Sequence, residues 1–152
     1  MIELIQKFEG KHAFLSNFSP HGFVLETISF PTNEHFFQAM KTVKGNTKDF
    51  LEIANASTPG KAKRMGRKVK MRPDWDEVKI NIMKKGLEEK FRQNPDIQKL
   101  LLETGEAILV EGNHWHDNFW GDCKCENCRL KTGKNMLGIL LMFVRGKISQ
   151  EK

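Results

Sequence analysis

The longest uninterrupted pattern in the chain is helical, and it limits what the rest can be. Between Trp75 and Gln93 there is no proline, and Val78, Ile82, Met83, Leu87 and Phe91 recur at mostly four-residue steps. That spacing collects apolar side chains on one face of an α-helix. Asp74, with Glu77 three residues later, has the form of a capping box at its start. A stripe this long is stable only when other elements cover it, and the sequence supplies them. Thr32 reads as the N-cap of a helix reaching about Val43, where Gly45-Asn46 breaks it; a second covers about Lys48–Ala54. Thr58-Pro59 opens a short basic helix, and Asn94-Pro95 opens one that Gly105 ends. Asn135 caps a last helix, Met136–Val144, followed by Gly146. Strand signals are short: residues 1–30 look extended, with Phe23-Val24-Leu25 and Ile28-Ser29-Phe30 rich in β-formers, and Ala107-Ile108-Leu109-Val110 reads as a buried strand. The expected class is α+β: one mostly helical domain over residues 1–152, with a small sheet drawn from the N-terminal segments and residues 107–111. Residues 112–134 remain as a polar and aromatic loop, too long to be a mere connector.

A chain of 152 residues can bury a core without disulfides or metal. It has no apolar run of membrane-spanning length, and Met1-Ile2-Glu3-Leu4 lacks the basic and apolar regions of a signal peptide, so a cytoplasmic protein without a membrane partner is expected. The net charge of +6 is local. Lys61, Lys63, Arg64, Arg67, Lys68, Lys70 and Arg72 fall in one window without an acid, and the remaining 18 basic and 19 acidic residues nearly cancel. A general nucleic-acid binder spreads its charge over a face; a single patch suits one anionic group such as a phosphate, or is simply a solvated basic surface.

Two constellations can carry chemistry. Glu34, Gln38 and Lys41 stand at i, i+4 and i+7 and share one helical face, beside His35. Acid, amide and amine in a row fit the wall of an active site; equally, Glu34 can serve the helix dipole while Lys41 is solvated. The second constellation is the run from Glu111 to Asp122, which holds Asp117, His114, His116, Trp115 and Trp120 directly after a strand. Its indoles can stack on a planar base, and its carboxylates can activate water or stabilise an oxocarbenium ion. Next to it, Cys123-Lys124-Cys125-Glu126-Asn127-Cys128 is a C-x-C-x-x-C motif. Three thiolates with His114, His116 or another group could hold a structural zinc; the alternative is three free thiols in an exposed loop.

The ordered set Phe14-Leu15-Ser16-Asn17-Phe18, Glu34-His35-Phe36-Phe37-Gln38-Ala39-Met40-Lys41, Ala62-Lys63 with Gly66-Arg67, Arg72-Pro73-Asp74-Trp75, Asp117 with Trp120-Gly121, and Gly133-Lys134-Asn135-Met136-Leu137-Gly138 resembles the NADAR superfamily of YbiA-like N-glycosidases, over about residues 8–146. The resemblance implies a compact α+β fold and hydrolysis of the bond between a phosphorylated ribose and a nitrogen leaving group. The substrate would be a ribosylamino-pyrimidine phosphate of riboflavin synthesis or ADP-ribose on guanine, with nucleic acid entering only as a carrier of that substrate. It implies Glu34, Asp117 and Trp120 as active-site residues, with Lys41 and Lys63 near the ribose or phosphate; the catalytic candidates are Glu34, Asp117 and Lys41. Asn17, His35, Gln38, Lys63, Arg67, Trp115 and Trp120 are the candidates for holding substrate, with the phosphate near the basic run. No cofactor is required for such a reaction. Residues 122–134, with their cysteines, depart from the pattern and look like an insertion. Two routes are open: a carboxylate pair, Glu34 with Asp117, or a Schiff base on Lys41. A module that binds ADP-ribose without hydrolysing it is the competing reading.

Overall fold

The computed structural model describes all 152 residues. The chain forms two compact units, Asn17–Pro95 and a second made of Met1–Ser16 with Asp96–Lys152.

In the first unit, an antiparallel hairpin precedes four helices; in chain order its strands are β2 (Phe23–Leu25) and β3 (Ile28–Phe30), β1 (Leu4–Ile5) belonging to the second unit. The hairpin pairs Phe23 with Phe30 and turns on Glu26 and Thr27, both with left-handed backbone (φ 49° and 71°). The helices are α1 (Asn33–Met40), α2 (Thr47–Ala54), α3 (Pro59–Gly66) and α4 (Trp75–Gln93). α1 is the centre of the unit: seven of its eight residues are buried, polar ones included. Such a helix must find partners for its polar groups within the protein. Thr32 accepts the His35 N–H at 3.2 Å, and the Asn17 carbonyl accepts that of Glu34 at 3.1 Å. Phe36 packs edge-on against Phe23 and Phe30, while the Phe37 ring meets that of Trp75 at a tilt, their centres 4.9 Å apart.

Close approach to α1 is made possible by two glycines. A Cβ on Gly66 of α3 would fall inside the Gln38 side chain, and one on Gly86 of α4 inside that of Asn33. α1 ends at Met40, short of the expected Val43, because Thr42 and Val43 are taken into extended pairing: Thr42 bridges Met71, and the Val43 N–H donates to the Lys70 carbonyl at 2.9 Å. At the start of α4 the expected Asp74 cap is absent, since Arg72 occupies both oxygens of that carboxylate at 2.6 and 3.0 Å.

In the second unit, residues Gly10–Leu15 form a 3-10 helix where extended chain was expected, with Phe14 and Leu15 buried. β1 pairs in parallel with β4 (Ile108–Leu109), after α5 (Pro95–Glu103). β5 (Gly112–Asn113) pairs in parallel with β6 (Asp122–Cys123) inside the expected loop. The β-structure is thus three separate two-stranded ladders rather than one sheet. α6 runs from Met136 to Gln150, past the expected stop at Gly146. Leu137, Leu141, Val144 and Ile148 keep a buried stripe through that point, so packing overrides the glycine. Asn135 does not cap α6 through its side chain; its amide instead bonds the Glu111 N–H and the Leu109 carbonyl, each at 2.9 Å. No helix is long and apolar enough to cross a membrane.

Candidate active site

The polar face of α1 forms the first candidate cluster, within the Asn17–Pro95 unit. Glu34 is 7% exposed, and the Gln38 amide donates to its Oε2 at 2.6 Å. Lys41 Nζ donates in turn to Gln38 Oε1 at 3.4 Å. The predicted i, i+4, i+7 stripe is therefore a connected acid–amide–amine chain. The glycine at position 66 leaves the room in which Gln38 lies. Burial lowers the Lys41 pKa; Glu34 pulls it up, and the Arg67 and Lys63 charges push it down again. Two cations of the basic run, four residues apart on and just beyond α3, thus act on the same amine. Lys63 also lies 6.0 Å from the centre of the Phe18 ring. A carboxylate screened from water, an amine of reduced basicity and two further cations can together bind an anion and exchange a proton beside it.

Other expected site residues have different surroundings. His35 is 1% exposed, with Nδ1 at 2.8 Å from Thr32 Oγ1 and Nε2 at 2.9 Å from the Ala56 carbonyl. Both ring nitrogens are engaged within the unit, so His35 braces α1 against the segment just after α2. Asn17 accepts from the Asn33 amide at 2.8 Å and supports the start of α1 through its carbonyl. Arg72 is paired with Asp74, so it adds little to the positive patch. A cavity of about 310 Å³ lies at the C-terminal end of α1, lined by Met40, Thr42, Lys44, Asn46, Phe50 and Arg72 among others. Of the basic run expected to meet the phosphate, Arg72 lines it, whereas Gln38, Lys41, Lys63 and Arg67 do not.

The second cluster lies in the other unit and is organised by asparagines. Asn113, 2% exposed, accepts the N–H groups of Trp115 and Asp117 at 3.2 and 3.1 Å and donates to the Asp117 carbonyl at 2.8 Å. Asp117 Oδ1 accepts the N–H groups of Phe119 and Trp120 at 3.1 and 2.9 Å, closing a tight turn. The Phe119 and Trp120 rings meet nearly perpendicularly at 4.8 Å, whereas Trp115 is 59% exposed. Asn113 and Asn118 escaped the sequence reading; their position beside glycine or aspartate in a long loop, where asparagine side chains replace backbone partners, is the signal that could have found them.

His116, Cys123, Cys125 and Cys128 converge in this loop, all four donor atoms lying within 4.8 Å of one another, so the cluster can hold a metal ion. His116 is the histidine that joins the thiols; His114 does not. Burial opposes ionisation of Cys123, but N–H groups of Cys125 and His116 donate to its sulfur, the Cys125 and Cys128 thiols add to them, and its pKa falls to about 7.

The α+β fold has relatives. Residues 5–149 match the NADAR domain. The chain is 40% identical over 136 residues to an N-glycosidase of Nostoc punctiforme, covering 88% of this chain and 83% of that protein. It is 38% identical over 139 residues to N-glycosidase YbiA of Escherichia coli, covering 90% and 82%. A riboflavin biosynthesis protein of Zea mays is 36% identical over 148 residues, which span 88% of this chain and 23% of that one. The NMR structure of Escherichia coli YbiA superposes with a TM-score of 0.84 at 36% identity, covering 99% of this chain and 88% of that chain. The chain belongs to the NADAR domain family.

Proposed function

We propose that this protein is an N-glycosidase that hydrolyses the bond between the anomeric carbon of a phosphorylated ribose and a nitrogen leaving group. The observation that carries the reading is the buried Glu34 carboxylate, held by Gln38 at 2.6 Å and linked through it to Lys41, with Lys63 and Arg67 acting on the same amine. Relatives named N-glycosidases support it from outside the structure. Cleavage of an N-glycoside builds positive charge on the anomeric carbon. Glu34 opposes that charge and takes a proton from water as the water oxygen bonds to the carbon. The leaving nitrogen keeps the electron pair of the broken bond and takes up a proton. Lys63 and Arg67 hold the phosphate. Asp117 and Trp120, in the other unit, offer a carboxylate that can act on a proton and a ring on which a base can stack.

A second route is favoured by the lowered pKa of Lys41. A neutral amine can attack the ring-opened sugar, forming an imine as the nitrogen leaves, and water then releases the sugar. Borohydride added during turnover separates the routes. A reduced sugar adduct on Lys41 establishes the imine; an unmodified Lys41 leaves direct attack by water.

The name of the Zea mays relative favours a ribosylamino-pyrimidine phosphate as substrate, and ADP-ribose on guanine is the other member of the class. Mass spectrometry of the products from each compound selects between them: ribose 5-phosphate from the first, free ADP-ribose from the second. Tight binding of both without release of either would refute the hydrolase and leave a binding module.

A further inference from the structure

The C-x-C-x-x-C segment is not absorbed by this reaction, and its surroundings ask for an explanation. Three thiols and an imidazole meet within 4.8 Å. In a tetrahedral zinc site with Zn–S of about 2.3 Å and Zn–N of about 2.0 Å, donor atoms stand about 3.5–3.8 Å apart. His116 Nδ1 lies 3.3 Å from Cys125 Sγ and 3.5 Å from Cys128 Sγ, already near that spacing. Cys123 and Cys128 are buried at 2% and 3% exposure, so the donor set is screened from water on two of its corners.

Around the thiols the backbone is arranged as it is around bound thiolates. The N–H groups of His116 and Cys125 point at Cys123 Sγ at 3.3 and 3.5 Å, and the Asn118 amide at Cys128 Sγ at 3.5 Å. Donors turned toward sulfur offset the negative charge that three thiolates bring to one metal ion. His116 itself has φ 69°, a left-handed conformation that residues with a side chain rarely adopt. That backbone is what turns the imidazole onto the cysteines. Soft thiolates with one imidazole, in fourfold geometry, select zinc among the common divalent ions.

We infer that His116, Cys123, Cys125 and Cys128 form a structural zinc site that clasps the loop 112–134. The site is closed, with all four positions filled by protein, so the metal takes no part in chemistry. Its consequence is order. His116 directly precedes Asp117, and Asn118 ties the cysteines to the same turn by donating to Cys128 Sγ and accepting the Cys123 N–H at 2.9 Å. The zinc therefore fixes the backbone from which Asp117 and Trp120 project.

The test uses untagged protein purified without chelator and measured by inductively coupled plasma mass spectrometry. About one zinc per chain is expected. Cys125→Ser and Cys128→Ser should lose it, His114→Ala should keep it, and His116→Cys should keep it because a fourth thiolate replaces the imidazole. Cobalt exchanged into the site should give the visible bands of a tetrahedral thiolate complex. Stripping the zinc should speed amide hydrogen exchange in residues 112–134 and leave α1–α4 protected, a readout independent of the proposed hydrolysis. Wild-type protein that carries no metal and takes none up, a Cys–Cys disulfide under reducing conditions, another metal in its place, or zinc retained by both serine variants would each overturn the assignment. Failure to hydrolyse any glycoside while zinc is bound would count against the proposed activity alone.

Discussion

Lys41 is a residue whose chemistry the fold alters in a definite direction. Burial lowers its pKa, with Arg67 and Lys63 adding to the effect and Glu34 opposing it. The folded chain thus binds this proton less tightly than the unfolded chain. Below the folded pKa the charged amine reduces stability, and this loss is relieved as pH rises from the folded pKa toward 10.5, where the unfolded lysine also deprotonates. Lys41→Met should accordingly raise Tm at neutral pH, by an amount that shrinks as pH approaches 10.5. An NMR titration of the Lys41 side chain should give a pKa below 10.5, and a value at or above it would remove the basis for the imine route. Asp117 calls for a different substitution. Asp117→Asn keeps an oxygen for the Phe119 and Trp120 N–H groups but removes the charge. If that charge takes part in the reaction, kcat falls by about 100-fold or more, with an unchanged circular dichroism spectrum. Wild-type kcat would make Asp117 a turn former only.

At the scale of elements, α1 works because its neighbours leave it room. Gly66→Ala raises intrinsic helix propensity, yet its Cβ would fall within the Gln38 side chain. The variant should displace Gln38 from Glu34 and reduce kcat about tenfold or more while lowering stability by about 1 kcal/mol. Gly146→Ala is the control: its Cβ meets nothing within 4 Å, and it should stabilise α6 by about 0.5–1 kcal/mol. Equal effects of the two would deny Gly66 its spacing role.

The same elements show what a linear reading can reach. The Glu34, Gln38 and Lys41 chain was legible because it depends only on helical spacing and a local cap, Thr32. Helix ends decided by tertiary pairing were not: Thr42 and Val43 leave α1 for the segment Lys70–Met71, and the Ile148 contact carries α6 past Gly146. The Asp74 cap failed because a stronger partner, Arg72, stands two residues away. The thiols were visible as a motif, but which histidine joins them depends on the backbone conformation of His116, which no spacing rule supplies.

Over the whole molecule, the net charge of +6 is concentrated in the stretch that includes Lys63 and Arg67. The family match over residues 5–149 takes in both compact units, so the NADAR fold is a property of the whole chain rather than of one unit. In the proposed reaction, the Glu34 carboxylate drives cleavage of a ribosyl C–N bond. The most direct measurement is single-turnover product release from a ribosylamino-pyrimidine phosphate and from ADP-ribosylated guanosine, by wild-type protein and by Glu34→Gln. The wild type should release the phosphorylated sugar from one of the two. The rate should fall by about 100-fold or more in the variant, which should still bind the same compound. Equal rates in both proteins, or no release by the wild type from either compound, would contradict that reaction.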